Sequence, residues 1–200
     1  VSDESNYGVS SGPSDRMKQE IGEIVVAHAN CDPALAALMQ QLTKTNDQTN
    51  LVLIQQLKLK GSSMADFISA VVDKTDHVDP AIRDRILKVI TQYRKLSTYR
   101  NEIAHWQWNP CEPGVEAALL RNTLAKKPTE SEKTYSLQDL RSISFGLHQV
   151  FGVVGSISTI IAANPPSQMS NQIMSALDAM FDKIKSAISD IPEPSAEEQP

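Results

Sequence analysis

The chain has 200 residues, 40% of them hydrophobic and 22% charged, an ordinary globular composition with room for one well-buried domain and tails. A formal net charge of −5 with a pI near 5.4 excludes wholesale binding of duplex nucleic acid through a basic surface, while leaving room for a small basic site. Cys31 and Cys111, far apart and outside any CxxC, exclude a disulfide framework and make a reducing, cytoplasmic setting the expectation.

In chain order, residues 1–14 are polar, carry Gly and Pro, and read as a disordered tail. "VSDESNYGVSSGPSDR" has neither the basic start nor the apolar core of a signal peptide. Ser14 or Asp15 can cap a helix in which Met17, Ile21, Ile24, Val25 and His28 recur at helical spacing. Asp32 before Pro33 reads as an N-cap followed by proline at the first helical position. That predicts either two helices, 15–30 and 33–44, or one long helix kinked at Pro33. "TNDQTN" reads as a loop, "LVLIQQLKLK" as a helix over 51–60, Gly61-Ser62-Ser63 as a break, and 63–74 as the next helix.

Asp79 and Pro80 open the clearest element, a helix continuing to 104–106. Within 106–135, Pro110, Pro113, Gly114 and Pro128 break helices, and "VEAALLRNTLA" and "KTYSL" predict a short β-hairpin insertion. "SLQDLRSIS" caps an apolar helix over 137–163, which "NPPS" stops. Its part 145–163 is long enough to span a membrane. His148, Gln149, Ser156, Ser158 and Thr159, with flanks that are not basic, favour instead a helix buried in a globular core, and no membrane partner is expected. A final amphipathic helix, 168–188, aligns Ile173, Leu177, Met180, Ile184 and Ala187 or Ile188; "PEPSAEEQP" is an acidic tail. The expected fold class is all-α, a bundle of five to seven helices. Its parts are a tail at 1–14, a helical domain at 15–163, a C-terminal helix within 164–190 packing on the domain or a partner, and a disordered acidic tail at 191–200.

The helix from Pro80 carries the most telling pattern. Ile82, Ile86, Val89, Tyr93, Leu96, Arg100 and Ile103 form one seam with a single non-conforming member, Arg100. An arginine on a buried stripe must snorkel, be paired, or face a cleft. Asn101 and His105 are four apart and share a face. Arg100 and His105 lie about 140° apart in azimuth and about 7.5 Å apart along the axis, so one straight helix cannot readily aim both at one small group. Either the helix unwinds around Ala104–His105, or a second copy supplies the other half across a two-fold axis. Residues 80–105 hold six basic residues against Asp84 and Glu102, a local charge of +4 that suits a solvated face or a phosphate-bearing ligand.

"RNEIAH", residues 100–105, resembles the R-N-x-x-A-H form of the Arg-x4-6-His motif of the HEPN superfamily (higher eukaryote and prokaryote nucleotide-binding). The motif sits late in a long amphipathic helix and is followed by "WQW" and an irregular insertion. "IGEIVVAHANCDPALAALM" is similar to the first helix of such proteins, where an unbroken helix with a glutamate near Asp32 is expected; Pro33 departs from that pattern. The resemblance covers roughly residues 15–163. It implies a helical bundle that forms a homodimer and, in many members, a metal-independent ribonuclease, often a toxin or defence effector with a neutralising protein partner, whose composite site lies in the dimer cleft. Other members bind nucleotides or act as interaction scaffolds. Carried over, the catalytic candidates are Arg100, His105 and Asn101. Histidine moves protons near neutral pH, and the arginine fork stabilises a developing phosphorane. Asn101 is expected to orient His105 or hold a phosphate oxygen. Trp106, Tyr99 and Arg94 are the candidate substrate-binding residues for RNA or a nucleotide. Trp106 or Trp108 can stack a base, although packing is the commoner role of such tryptophans. No cofactor and no metal are expected: His28 and Cys31 make an H-x2-C without a partner pair, and "FGVVGS" lies inside a helix and serves helix packing.

Overall fold

A computed structural model describes residues 12–109, 116–122, 132–163 and 167–194, with the side chains of 167–171 left aside. Among them are six helices and three short strands, so the chain is an all-α bundle with a small β insertion. The helices are α1 Asp15–Thr43, α2 Asp47–Gln56, α3 Gly61–Val72, α4 Pro80–His105, α5 Leu137–Ala163 and α6 Ser167–Ile188. The strands are β1 Gln107–Trp108, β2 Ala117–Arg121 and β3 Glu132–Ser136, in antiparallel order β1-β2-β3.

The first helix is single. Pro33 lies inside α1, and Asp32 is a mid-helix residue, not an N-cap. Proline removes the donor that would reach the Ala29 carbonyl, but Ala29 is exposed and water can serve it. The proline is therefore tolerated on the solvent side while Cys31, Leu35 and Leu38 hold the buried side. Ser14 caps the start by accepting from the Met17 N–H at 3.3 Å.

The loop expected at "TNDQTN" is already partly helix. Asn46 accepts from the Thr49 N–H at 2.9 Å and nucleates α2 from Asp47, so α2 starts and ends earlier than 51–60. Its Asn50 side chain is buried and donates to the Ala36 carbonyl at 3.1 Å, tying α2 to α1. The third helix begins at Gly61, two residues before its expected start. The Ser63 hydroxyl accepts from the Lys60 N–H at 2.8 Å, and that contact closes the first turn.

Asp79 accepts from the Ala81 N–H at 2.7 Å at the head of α4. The seam of α4 is buried as its spacing predicts: Ile86, Val89, Tyr93 and Leu96 are fully covered. Each such side chain contributes about 1.5–3 kcal/mol of burial. Arg100 alone on this stripe is half-buried, and it faces a cleft.

The insertion is a sheet of three strands rather than two, because Gln107 and Trp108 pair with Arg121 and Leu120 as soon as α4 ends. At the start of α5, the Ser136 hydroxyl accepts from the Asp139 N–H at 3.1 Å while Asp139 accepts from the Ser136 N–H at 2.7 Å. Helix α5 is the one helix, among the described residues, long and apolar enough to cross a membrane. It packs along α1 and against α4 and α6, and Leu140, Leu147 and Val154 are fully buried there. Gly152 lets α6 approach: a Cβ there would meet Met180 Cε at 3.0 Å. Helix α6 completes the bundle through Leu177, Ile184 and Ile188, and its Asp178 accepts from Arg85 of α4 at 2.6 Å. Of the expected tails at 1–14 and 191–200, residues 1–11 and 195–200 lie outside the described residues, as do Cys111 and most of "NPPS"; Ile191 is buried in the core and Glu193 pairs with Lys95.

Candidate functional site

The cleft that receives Arg100 has a volume of about 590 Å³. Three segments meet there. The middle of α1 brings His28 and Asp32, four apart on one face. The turn into α3 brings Lys60 and Gly61, and the last turns of α4 bring Arg94, Ser97, Arg100 and Asn101. Gly61 is required by the turn. Its φ of +42° is left-handed, and a Cβ there would come within 3.1 Å of the Tyr93 hydroxyl and 3.9 Å of Asp32 Oδ1.

One Nη of Arg100 donates to Asn101 Oδ1 at 3.1 Å. Asn101 thus fixes the arginine. Arg100 Nε and Asp32 Oδ1 are buried and have no hydrogen-bond partner among the described protein groups. A donor and an acceptor of charged side chains are therefore both unserved by protein in the same cleft.

His28 sits between them in electrostatic terms. Its Nε2 lies 3.0 Å from Ser97 Oγ and 3.3 Å from the Tyr93 hydroxyl, and its ring stacks on Tyr93 at 5.4 Å between centroids. Burial, and then the Arg100 guanidinium, pull its pKa below 6.5, while Asp32 pulls the other way. The imidazole is accordingly neutral at neutral pH. Its neighbour Cys31 faces the core; its thiol approaches the Ala27 carbonyl at 3.5 Å, and burial raises its pKa to about 12.

The other candidates are dispersed. Arg94 lines the cleft, but its guanidinium is engaged by Asp66 at 2.7 Å and by Ser69 Oγ at 3.0 Å, both on α3. Tyr99 is fully buried, three residues after Leu96 and four before Ile103, and packs edge-on against Tyr135 with centroids 6.4 Å apart. It belongs to the apolar seam and presents nothing to a ligand. Trp106 is half-buried with Lys133 Nζ 5.5 Å from its ring centroid, and the Trp108 indole donates to the Ile103 carbonyl at 2.9 Å. Neither tryptophan lines the cleft. His105 is exposed at the end of α4 and does not line it either. Helix α4 runs unbroken through His105, so the structure does not unwind to bring His105 to Arg100.

On the opposite side of the same helix end, Glu102 is 3% exposed and fully engaged with the sheet. Its carboxylate accepts from the Tyr135 hydroxyl at 2.5 Å and from Lys133 Nζ at 2.7 Å. Lys133 also donates to the Glu193 carbonyl at 2.7 Å, and Lys95 pairs with the Glu193 carboxylate at 2.9 Å. Burial, reinforced by Glu102, raises the Tyr135 pKa far above the usual phenol range, so the hydroxyl stays a donor.

Sequence reasoning missed His28, Asp32 and Lys60 as cleft residues. A signal existed in the i, i+4 spacing of His28 and Asp32. It was hidden because Asp32-Pro33 mimics a helix start and His28 pairs by eye with Cys31. Among the described residues no group of three or more His, Cys, Asp or Glu side chains is placed to hold a metal ion. No protein-family model matches the chain, and neither a curated protein nor a solved structure matches it.

Proposed function

We propose that the chain is a metal-independent endoribonuclease of the HEPN kind, working on cytoplasmic RNA as a homodimer, with Arg100 as the phosphate-binding cation and His105 as the proton-transfer group. The single observation that carries this reading is Arg100. It stands on a buried seam, lines a polar cleft, is held at one Nη by Asn101, and keeps a buried Nε without a partner among the described residues. A fixed guanidinium with an unmet donor is the arrangement that stabilises charge developing on a phosphorane. Because α4 stays helical through His105, Arg100 and His105 act on one phosphate only if a second copy brings its own helix end to the cleft.

The test is cleavage of mixed RNA in EDTA, reading for cyclic-phosphate ends, with Arg100→Ala and His105→Ala each tested alone and then mixed. Each variant alone is expected to be inactive and folded. A mixture that exchanges subunits regains up to about a quarter of the parent rate, because mixed dimers keep one intact site of two. Inactive mixtures with confirmed exchange would refute the composite site, and RNA untouched by the parent dimer would refute the nuclease. A second reading, a nucleotide-binding module without catalysis, is favoured by one observation. The polar lining of the cleft is complete within a single chain, with Lys60, His28 and Asp32 beside Arg100.

A further inference from the structure

The geometry points to Asp32 as the residue that reads the ribose 2′-hydroxyl of a nucleotide whose phosphate is held by Arg100, so that the cleft selects ribonucleotides over deoxyribonucleotides. This rests on the reading of the cleft as a nucleic-acid site and adds to it a sugar-specific subsite on α1.

The argument starts from what is unmatched. Leaving a buried polar atom of a charged side chain unserved is costly, and structures retain such atoms where they have work to do. Six buried side-chain atoms lack a protein partner among the described residues, and two of them, Asp32 Oδ1 and Arg100 Nε, belong to residues that line one cleft. They are of opposite kind. A carboxylate oxygen can only accept, and a guanidinium nitrogen can only donate. A bare phosphate satisfies the arginine and repels the aspartate. A ligand that satisfies both must present an anionic acceptor and a hydroxyl or amine donor a short distance apart.

A phosphorylated ribose does this, because the 2′-hydroxyl sits a few bonds from the phosphate on the same sugar. Carboxylate acceptors for ribose hydroxyls are an established solution in nucleotide sites. The 2′-hydroxyl is also the group by which a protein tells RNA from DNA. A base edge offers N–H donors too, but it lies across the sugar from the phosphate. Asp32 and Arg100 both act through space on the one imidazole of His28, which places them around the same small region. The cleft volume of about 590 Å³ falls within the range for small ligands. Lys60 at the turn adds a second cation for the phosphate, and Gly61 keeps the wall beside Asp32 Oδ1 free of a side chain.

The experiment is calorimetric titration of the full chain, in EDTA, with the four ribonucleoside 3′-monophosphates, their 2′-deoxy counterparts and inorganic phosphate. The parent is expected to prefer ribo over deoxy by about tenfold, the worth of one hydrogen bond to a charged acceptor. Asp32→Ala should abolish the preference, Asp32→Asn should leave part of it, and Arg100→Lys should weaken both series alike. Asp32→Ala is also expected to fold and to melt no lower than the parent, since it removes a carboxylate oxygen that no group among the described residues serves. Equal affinity for the two sugars would overturn the assignment. So would a preference that survives Asp32→Ala, a base preference that Asp32→Ala removes from both sugars, binding of phosphate alone, or no binding up to millimolar nucleotide. Mononucleotides contain no scissile phosphodiester, so this outcome is independent of whether the chain cuts RNA. Conversely, RNA cleavage without sugar preference in binding would leave the nuclease standing and remove the subsite.

Discussion

The two sides of the C-terminal end of α4 differ sharply in how they treat charge. Toward the sheet, Glu102 is buried with Lys133 and Tyr135 on its carboxylate, and Lys133 in turn reaches the Glu193 carbonyl. Toward α1 and α3, Arg100 and Asp32 are each left with an atom that no group among the described residues serves. Two residues apart on one helix, Glu102 and Arg100 thus show a closed network and an open one. The difference separates a charge that the protein closes on itself from charges it leaves open to a ligand. A satisfied buried network specifies where elements sit, and an unsatisfied one is kept at a cost in stability.

The comparison breaks most visibly at Glu102. Glu102→Ala should destabilise the fold by about 3–5 kcal/mol, because it strands a largely buried Lys133 ammonium and the Tyr135 hydroxyl. Chemical denaturation would read this as a lower midpoint with an unchanged slope. On the open side, Arg100→Ala should cost no comparable stability; under the proposed nuclease reading, it should lower RNA cleavage by at least about 10²- to 10³-fold, the usual effect of losing one preorganised oxyanion donor. A variant that instead unfolds would move Arg100 to the structural side of the comparison.

A smaller effect sharpens the closed side. Tyr135→Phe removes one donor from Glu102 and leaves Lys133 in place, so about 1–3 kcal/mol of stability is expected to go, less than for Glu102→Ala. Equal losses in the two variants would mean that Lys133 contributes nothing to Glu102. A double-mutant cycle over Tyr135 and Lys133 separates the two contributions.

Much of this was legible in the residues. The seam of α4 and its one discordant arginine could be read from spacing alone, and the cleft stands where that arginine points. The capped starts of α4 and α5 were equally plain, because Asp79-Pro80 and Ser136 with Asp139 are local signals whose hydrogen bonds lie within one turn. What was not legible is non-local. Asp32-Pro33 has the local chemistry of a helix start, but tertiary packing of Cys31, Leu35 and Leu38 carries α1 straight through. Tyr99 was read as a ligand contact although its distance from Leu96 and Ile103 puts it on the seam. His28 and Asp32 meet Arg100 only because α1 lies beside α4, which no spacing within either helix discloses.

The smallest predicted effect tests the open side through acid. His28 has a pKa lowered below 6.5 by burial and by Arg100, so the folded state resists its protonation. Between the folded value and the unfolded value of about 6.5, the unfolded chain binds more protons, and stability rises with pH. The stability contributed by neutral His28 is therefore complete above the unfolded pKa and is lost as pH falls through the folded one. Denaturation midpoints measured from about pH 7 down to about pH 5 should fall more steeply for the parent than for His28→Gln, which cannot charge. Other titrating groups are common to both proteins and cancel in the difference. A parallel pair of curves would mean that His28 protonates as easily in the fold as outside it. The Arg100 guanidinium would then lie too far off to bias the cleft, and the two sides of α4 would be less different than their hydrogen bonds indicate.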